Sequence, residues 1–127
     1  METEIKQIDV EEIAREPRKR QTAYKLRIAD LHNSHIAEGI VEIDNKQIIR
    51  VNVIANVIDK FISEGERRYG AIAIDDASSQ IRVKTFGEDT EKLSDIEIGD
   101  TILIIGTLRF FNNELYILPE IIRKLEV

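Results

Sequence analysis

Four phenylalanines and three tyrosines are the only aromatic residues in this 127-residue chain, which has no tryptophan. Several of them stand among cations. Phe86 closes an alternating run in which Arg82 and Lys84 share its phase, Phe110 and Phe111 follow Arg109 directly, and Tyr69 follows Arg67 and Arg68 with Lys60 upstream. Ring faces on which unpaired bases stack, at roughly 1 to 3 kcal/mol per base, and cations that track phosphates are together what a single nucleic-acid strand requires. On this reading Phe86, Phe111, Phe110 and Tyr69 supply the stacking, and Lys84, Arg82, Arg109, Lys60, Arg67 and Arg68 the phosphate contacts. Aromatic side chains more often pack than serve as platforms. A packing role therefore stands beside the stacking role for each ring, and it is the favoured one for Tyr69 and Tyr116.

Other chemistries are poorly supplied. The chain has no cysteine, which excludes disulfides, thiolate metal sites and a cysteine nucleophile. His32 and His35 have an i, i+3 spacing but follow a strand and fall in an expected loop, and no third ligand is suitably placed, so no metal is expected. Asp75-Asp76 has the composition of a cation site, yet aspartates that accept hydrogen bonds from the amides of their own turn explain it more simply. The six glycines fall singly at turns, bends and strand ends, which leaves no phosphate loop. With no Ser/His/Asp order and no supportable carboxylate pair, neither catalysis nor a cofactor is expected.

The elements that must position the aromatic and basic residues are short, apolar and β-branched. Ile48 to about Ile62 reads as one long strand with apolar residues in both phases, Val51, Val53 and Val57 and then Ile54 and Ile58, so it is expected to bend midway and change its buried face. Tyr69–Asp75 and Gln80–Phe86 form a hairpin around Asp76-Ala77-Ser78-Ser79, with Ile72, Ile74, Ile81 and Val83 inward and Arg82, Lys84 and Phe86 outward. Glu88–Ile96 reads as a short helix with acids in its first turn, and Gly99-Asp100 leads to a strand over Thr101–Phe110. Asn112-Asn113 makes the last hairpin turn before a strand over Leu115–Leu118, where Pro119 is expected to stop further pairing. The order β-β-β-α-β-β predicts an all-β fold, a five-stranded OB-fold Greek-key barrel over 48–120 with one short helix between its third and fourth strands. Such barrels bind single strands or sugars on the outer face of strands two and three and on the loops after strands one and four, which is where the aromatic and basic residues fall.

Before the barrel, alternating runs over Tyr24–Ile28 and Ile36–Ile43, the second ending in Asp44-Asn45, predict an N-terminal strand extension over 23–47. Residues 1–22 lack a sustained period and read as an arm, and 121–127 read as a C-terminal tail. The charge is uneven. Six basic residues, Arg15, Arg18, Lys19, Arg20, Lys25 and Arg27, face one acid, Glu16, a local +5 within a formal total of −6. Screening over about 8 Å lets such a patch act apart from a distant acidic face. It suits nucleic acid, an acidic partner, or plain solvation. A hydrophobic content of 43% with 33% charged residues and no long apolar run argue for one soluble domain with no membrane contact. The acidic and amide-rich N-terminus is unlike a secretory leader. The expected location is the cytoplasm, nucleoid-associated in a prokaryote. The isoleucine-, Glu- and Lys-rich composition would also suit a thermophile.

Three stretches, RVNVIANVI (50–58), IAIDDASSQIRVKTF (72–86) and GDTILIIGTLRFFNNELYIL (99–118), give the chain a resemblance over about Ala23–Glu120 to a known family. It resembles the single-strand-binding OB domain of the middle subunit of replication protein A and its archaeal relatives, a family that includes the telomere-capping Stn1 proteins. The resemblance implies stacking by Phe86 and Phe111, phosphate contacts from Arg109 and Lys84, a bend of the first barrel strand at Ala55, and assembly with other replication protein A subunits into a hetero-oligomer on single-stranded DNA. Two alternatives remain open from the residues: an acidic scaffold that mainly binds a larger single-strand-binding partner, and an RNA-binding module that would read the 2′-hydroxyl.

Overall fold

The computed structural model describes residues 22–126. Its organising element is the long strand β5 (Arg50–Ser63). Val51, Val53, Ala55 and Val57 are buried along it, and the phase then slips at a bulge between Val57 and Asp59. The bend lies past Ala55. Ile54 and Ile58, expected to bury a second face, are exposed, because the extra residue at Ile58 takes up the change of phase. The first half of β5 pairs with β8 (Thr101–Phe111), and its second half pairs with β6 (Tyr69–Asp75).

The β6–β7 hairpin, with β7 at Gln80–Phe86, falls where the alternation predicts, and Ile72, Ile74, Ile81 and Val83 are buried. A 3₁₀ helix over Gly87–Leu93 follows in place of the expected helix to Ile96; it buries Thr90 and Leu93. The last strand, β9, spans Glu114–Leu125 and pairs antiparallel with β8 and, over Arg82↔Tyr116 and Val83↔Ile117, parallel with β7. The ring of neighbours β5-β6-β7-β9-β8 closes on β5. This is the five-stranded OB barrel.

Two sequence expectations at the ends are corrected. Pro119 does not end the pairing, and residues 121–125 continue β9 instead of forming a tail. Gly106 pairs with Pro119 and Ile105 with Ile121, so Glu120 is the extra residue of a bulge, a place where a sheet tolerates proline. The Glu120 carboxylate accepts hydrogen bonds from Arg50 (2.9 and 3.0 Å) and from the Thr107 hydroxyl (3.2 Å). In the N-terminal extension, β1 (Ala23–Lys25) pairs parallel with β5. The expected continuation of that strand is instead the short helix α1 (Ile28–His32), and the run over Ile36–Ile43 is two strands. Glu38 and Gly39, both with positive φ, turn β2 (His35–Ala37) into β3 (Ile40–Ile43), which pairs with β4 (Lys46–Ile48). Ile28, Leu31, Val41 and Ile48 join the barrel core.

What holds α1 in place is the β6–β7 turn. Asp76 Oδ1 accepts from the Ser78 amide (2.9 Å) and hydroxyl (2.6 Å), while its Oδ2 accepts from the Ile28 amide (2.8 Å) and Ser78 Oγ accepts from the Ala29 amide (3.0 Å). The turn thus caps the first, otherwise unpaired amides of α1. Burial alone would push the Asp76 carboxyl up, but the hydrogen bonds from Ser78, Ile28 and Ser79 outweigh it and hold the group below its usual range. Asp76→Ala is therefore expected to cost about 1 to 2 kcal/mol in denaturant unfolding. A depressed folded pKa stabilises above the unfolded value of about 3.9 and loses that contribution as pH falls. The stability gap between the wild type and Asp76→Ala should accordingly shrink below about pH 4.

Candidate nucleic-acid interface

The outer face of β6 and β7 carries the aromatic and basic residues, as the alternation requires. Tyr69 pairs in register with Phe86. Their ring centroids are 5.5 Å apart, and a third ring, Phe61, stands 6.2 Å from Tyr69 on its other side. The Tyr69 plane is tilted by 52° to that of Phe61 and by 47° to that of Phe86. Phe61 is 59% and Phe86 50% exposed, whereas Tyr69 is half-buried between them. Tyr69 thus supports the row from within. Small residues, Ala71 and Ala73, form the outward positions of β6 beside it.

Phe61 is absent from the rings read off the sequence, because Tyr69 comes beside it only when β5 pairs with β6. The signal is Asp59, two residues before it in the same phase: the change of buried face, taken up by the bulge, turns both outward together. Phe111, 65% exposed, stands apart from the row, at the tip of the β8–β9 hairpin, with Arg109 preceding it on the same face of β8. Phe110 has the inward phase of Leu108 but lies past the barrel rim, where it is partly exposed. The hairpin turn at Asn112-Asn113 has φ of 54° and 65°, the left-handed pair that asparagine tolerates in a two-residue hairpin.

The cations divide sharply. Arg82 binds the Glu114 carboxylate through two hydrogen bonds (2.7 and 2.8 Å), and Lys84 donates to the same carboxylate at 2.8 Å while its Nζ sits 4.6 Å from the Tyr116 ring centroid. The Arg82 guanidinium, and after it Lys84, overcome the effect of burial and hold the Glu114 carboxyl at about 2. Arg68 pairs with Glu91 (2.8 Å) and Glu64 (3.4 Å). Lys60 takes the inward phase past the bulge and donates to the Ile96 carbonyl at 2.6 Å, away from the aromatic row. Arg67 and Arg109 are exposed, with no ion pair among the described residues. Arg67 lines an apolar cleft beside Phe86 and Gly87.

Of the basic arm, Arg15, Arg18, Lys19 and Arg20 lie outside the described residues. Lys25 is exposed on β1, and Arg27 pairs with Asp30 at 3.0 Å. His32 ends α1 and donates through Nε2 to the Gln80 carbonyl at 2.6 Å, and His35 begins β2, so neither lies in a loop. Asp75 and Asp76 accept from amides of their own turn. Among the described residues no cluster of three or more His, Asp or Glu side chains is placed to hold a metal, and no helix is long and apolar enough to cross a membrane.

The strand order and the single helix between the third and fourth barrel strands define an all-β OB-fold protein. Its fold is shared with an OB-fold subunit structure in a replication protein A heterotrimer bound to single-stranded DNA (21% identity, 84% of each chain, TM-score 0.69). It is likewise similar to the Schizosaccharomyces pombe Stn1–Ten1 complex structure (17% identity, 84% of this chain and 81% of that one, TM-score 0.74). The second OB-fold domain of replication protein A from Methanococcus maripaludis is a more distant likeness (16% identity, 62% and 86%, TM-score 0.50). No protein-family model and no curated protein sequence matches the chain.

Proposed function

We propose that this chain binds single-stranded DNA across the outer face of β5, β6 and β7 as a non-catalytic subunit of a replication protein A-like complex, acting in DNA replication, repair or recombination in the cytoplasm, nucleoid-associated in a prokaryote. The observation that carries this reading is the row of three rings, Phe61, Tyr69 and Phe86, with the outer two open to solvent. Bases stack on exposed rings whatever their sequence. The fold's likeness to a replication protein A heterotrimer bound to single-stranded DNA supports the choice of ligand. Its likeness to the Stn1–Ten1 complex supports assembly with other subunits into a hetero-oligomer.

A fluorescence titration with a labelled oligonucleotide at several salt concentrations tests the proposal. Arg67 and Arg109, together with whatever net charge Arg82, Lys84 and Glu114 contribute, amount to two or three neutralised phosphates. The logarithm of affinity should therefore fall with log salt at a slope of about −1.4 to −2.1. Competition by RNA of the same sequence reads the preference between the two strands. Absence of saturable binding would remove the proposal.

One observation favours a second reading. Arg68, Arg82 and Lys84 are already paired with carboxylates, and the chain's formal charge is −6. A scaffold that mainly binds a larger single-strand-binding partner would account for that, and it predicts copurification with such a partner together with no oligonucleotide binding by this chain alone.

A further inference from the structure

Glu114 occupies the centre of the only two outward cations that β7 contributes, and it does so from another strand. It is the first residue of β9, directly after the Asn112-Asn113 turn. Its two oxygens receive the Arg82 guanidinium in a fork, and one of them receives the Lys84 ammonium as well. A phosphodiester carries the same single charge as this carboxylate and offers the same pair of acceptor oxygens to a guanidinium fork. The Arg82 side chain is half exposed and that of Glu114 about one-third exposed, so this pair is reachable from solvent, while Lys84, only 14% exposed, is reached once Glu114 leaves. An ion pair this exposed is cheap to exchange.

We infer that Glu114 holds Arg82 and Lys84 in the place of a backbone phosphate, and that a bound single strand displaces it and takes over both cations. The inference rests on the single-strand reading above and adds to it a residue that weakens binding. Phe86 lies two residues beyond Lys84 on the same face of β7, so a strand stacked on Phe86 brings its adjoining phosphates past these cations. With its carboxyl held at about 2, Glu114 remains charged throughout the pH range in which binding is measured, so displacement by the strand itself, not protonation, is the way it leaves.

The test is Glu114→Gln, which keeps the acceptor oxygen and side-chain length and removes the charge. Oligonucleotide affinity is expected to rise about fivefold. The salt slope is expected to steepen by about 0.7, one phosphate's worth. Adding Arg82→Ala and Lys84→Ala to Glu114→Gln should abolish both gains. A carboxylate that merely braces the β7–β9 junction would give the opposite result: unchanged or weaker binding, an unchanged salt slope, and a lower melting temperature. That outcome overturns the inference while leaving wild-type binding intact. If neither the wild type nor Glu114→Gln binds, the single-strand reading itself fails and takes this inference with it.

Discussion

Replacing Phe61 and Phe86 together by alanine is expected to weaken oligonucleotide binding at least about thirtyfold, with the folded barrel retained. Two stacked bases at roughly 1 to 3 kcal/mol each set the floor of that range. Both rings are at least half exposed, so their removal leaves little cavity and the unfolding midpoint should barely move. Phe111→Ala is the informative contrast. The family resemblance pairs Phe111 with Phe86, whereas the geometry pairs Phe86 with Phe61 through Tyr69. Combining Phe86→Ala with Phe111→Ala should therefore weaken binding less than combining Phe86→Ala with Phe61→Ala. Equal affinity of the wild type and the Phe61/Phe86 double variant in the same titration would dismiss the aromatic row as a binding surface.

The largest effect on stability is expected at Gly106. It faces the bulge of β9, and a Cβ there would lie 2.5 Å from the Leu118 carbonyl oxygen, 2.7 Å from Ile117 Cγ2 and 3.0 Å from Pro119 Cα. Two of the three obstacles are backbone, which cannot rotate aside. Gly106→Ala should thus reach the upper end of the usual cost of overpacking, about 3 kcal/mol. For a domain of this size that corresponds to a fall in melting temperature of roughly 10 °C or more. At Gly70 the three atoms nearest a Cβ would all belong to side chains, Thr85 Oγ1 at 2.8 Å and Leu93 Cδ1 and Thr90 Cγ2 at 2.9 Å. These side chains are fully buried, but they can give by rotation where backbone cannot, so Gly70→Ala is expected to cost less than Gly106→Ala. Thermal melts of the two variants test the order. A Gly106→Ala protein that melts with the wild type would contradict the bulge geometry.

Much of the barrel was legible because its signals are local. The β6–β7 hairpin and the Asn112-Asn113 turn declare themselves through period-two alternation and turn chemistry, and the structure places them where those patterns do. The bulges were not legible, since each depends on a partner strand distant in sequence. Glu120 is extra only against Gly106 and Ile105, and Ile58 only against β6. Both misreadings of the site descend from this kind of blindness. Phe61 is hidden because its partners in the row, Tyr69 and Phe86, come beside it only when β5, β6 and β7 pair. Arg82 and Lys84 read as free cations because Glu114, some thirty residues onward, becomes their neighbour only when the barrel closes. The short helix α1 was hidden likewise, its cap being supplied by Asp76 and Ser78 from the far hairpin.

The parallel junction of β7 with β9 rests on two residue pairs, Arg82 with Tyr116 and Val83 with Ile117, whereas β8 and β9 run together from Thr101 and Leu125 to Phe111 and Glu114. A cylinder closed so unevenly does not deform uniformly: when it widens, it widens along its thinnest line of stitching. That line passes beside the rings of β6 and β7. The span between those rings and the Arg109–Phe111 tip is consequently where the barrel is expected to give first, held at that seam less by backbone pairs than by the bonds of Arg82 and Lys84 to Glu114.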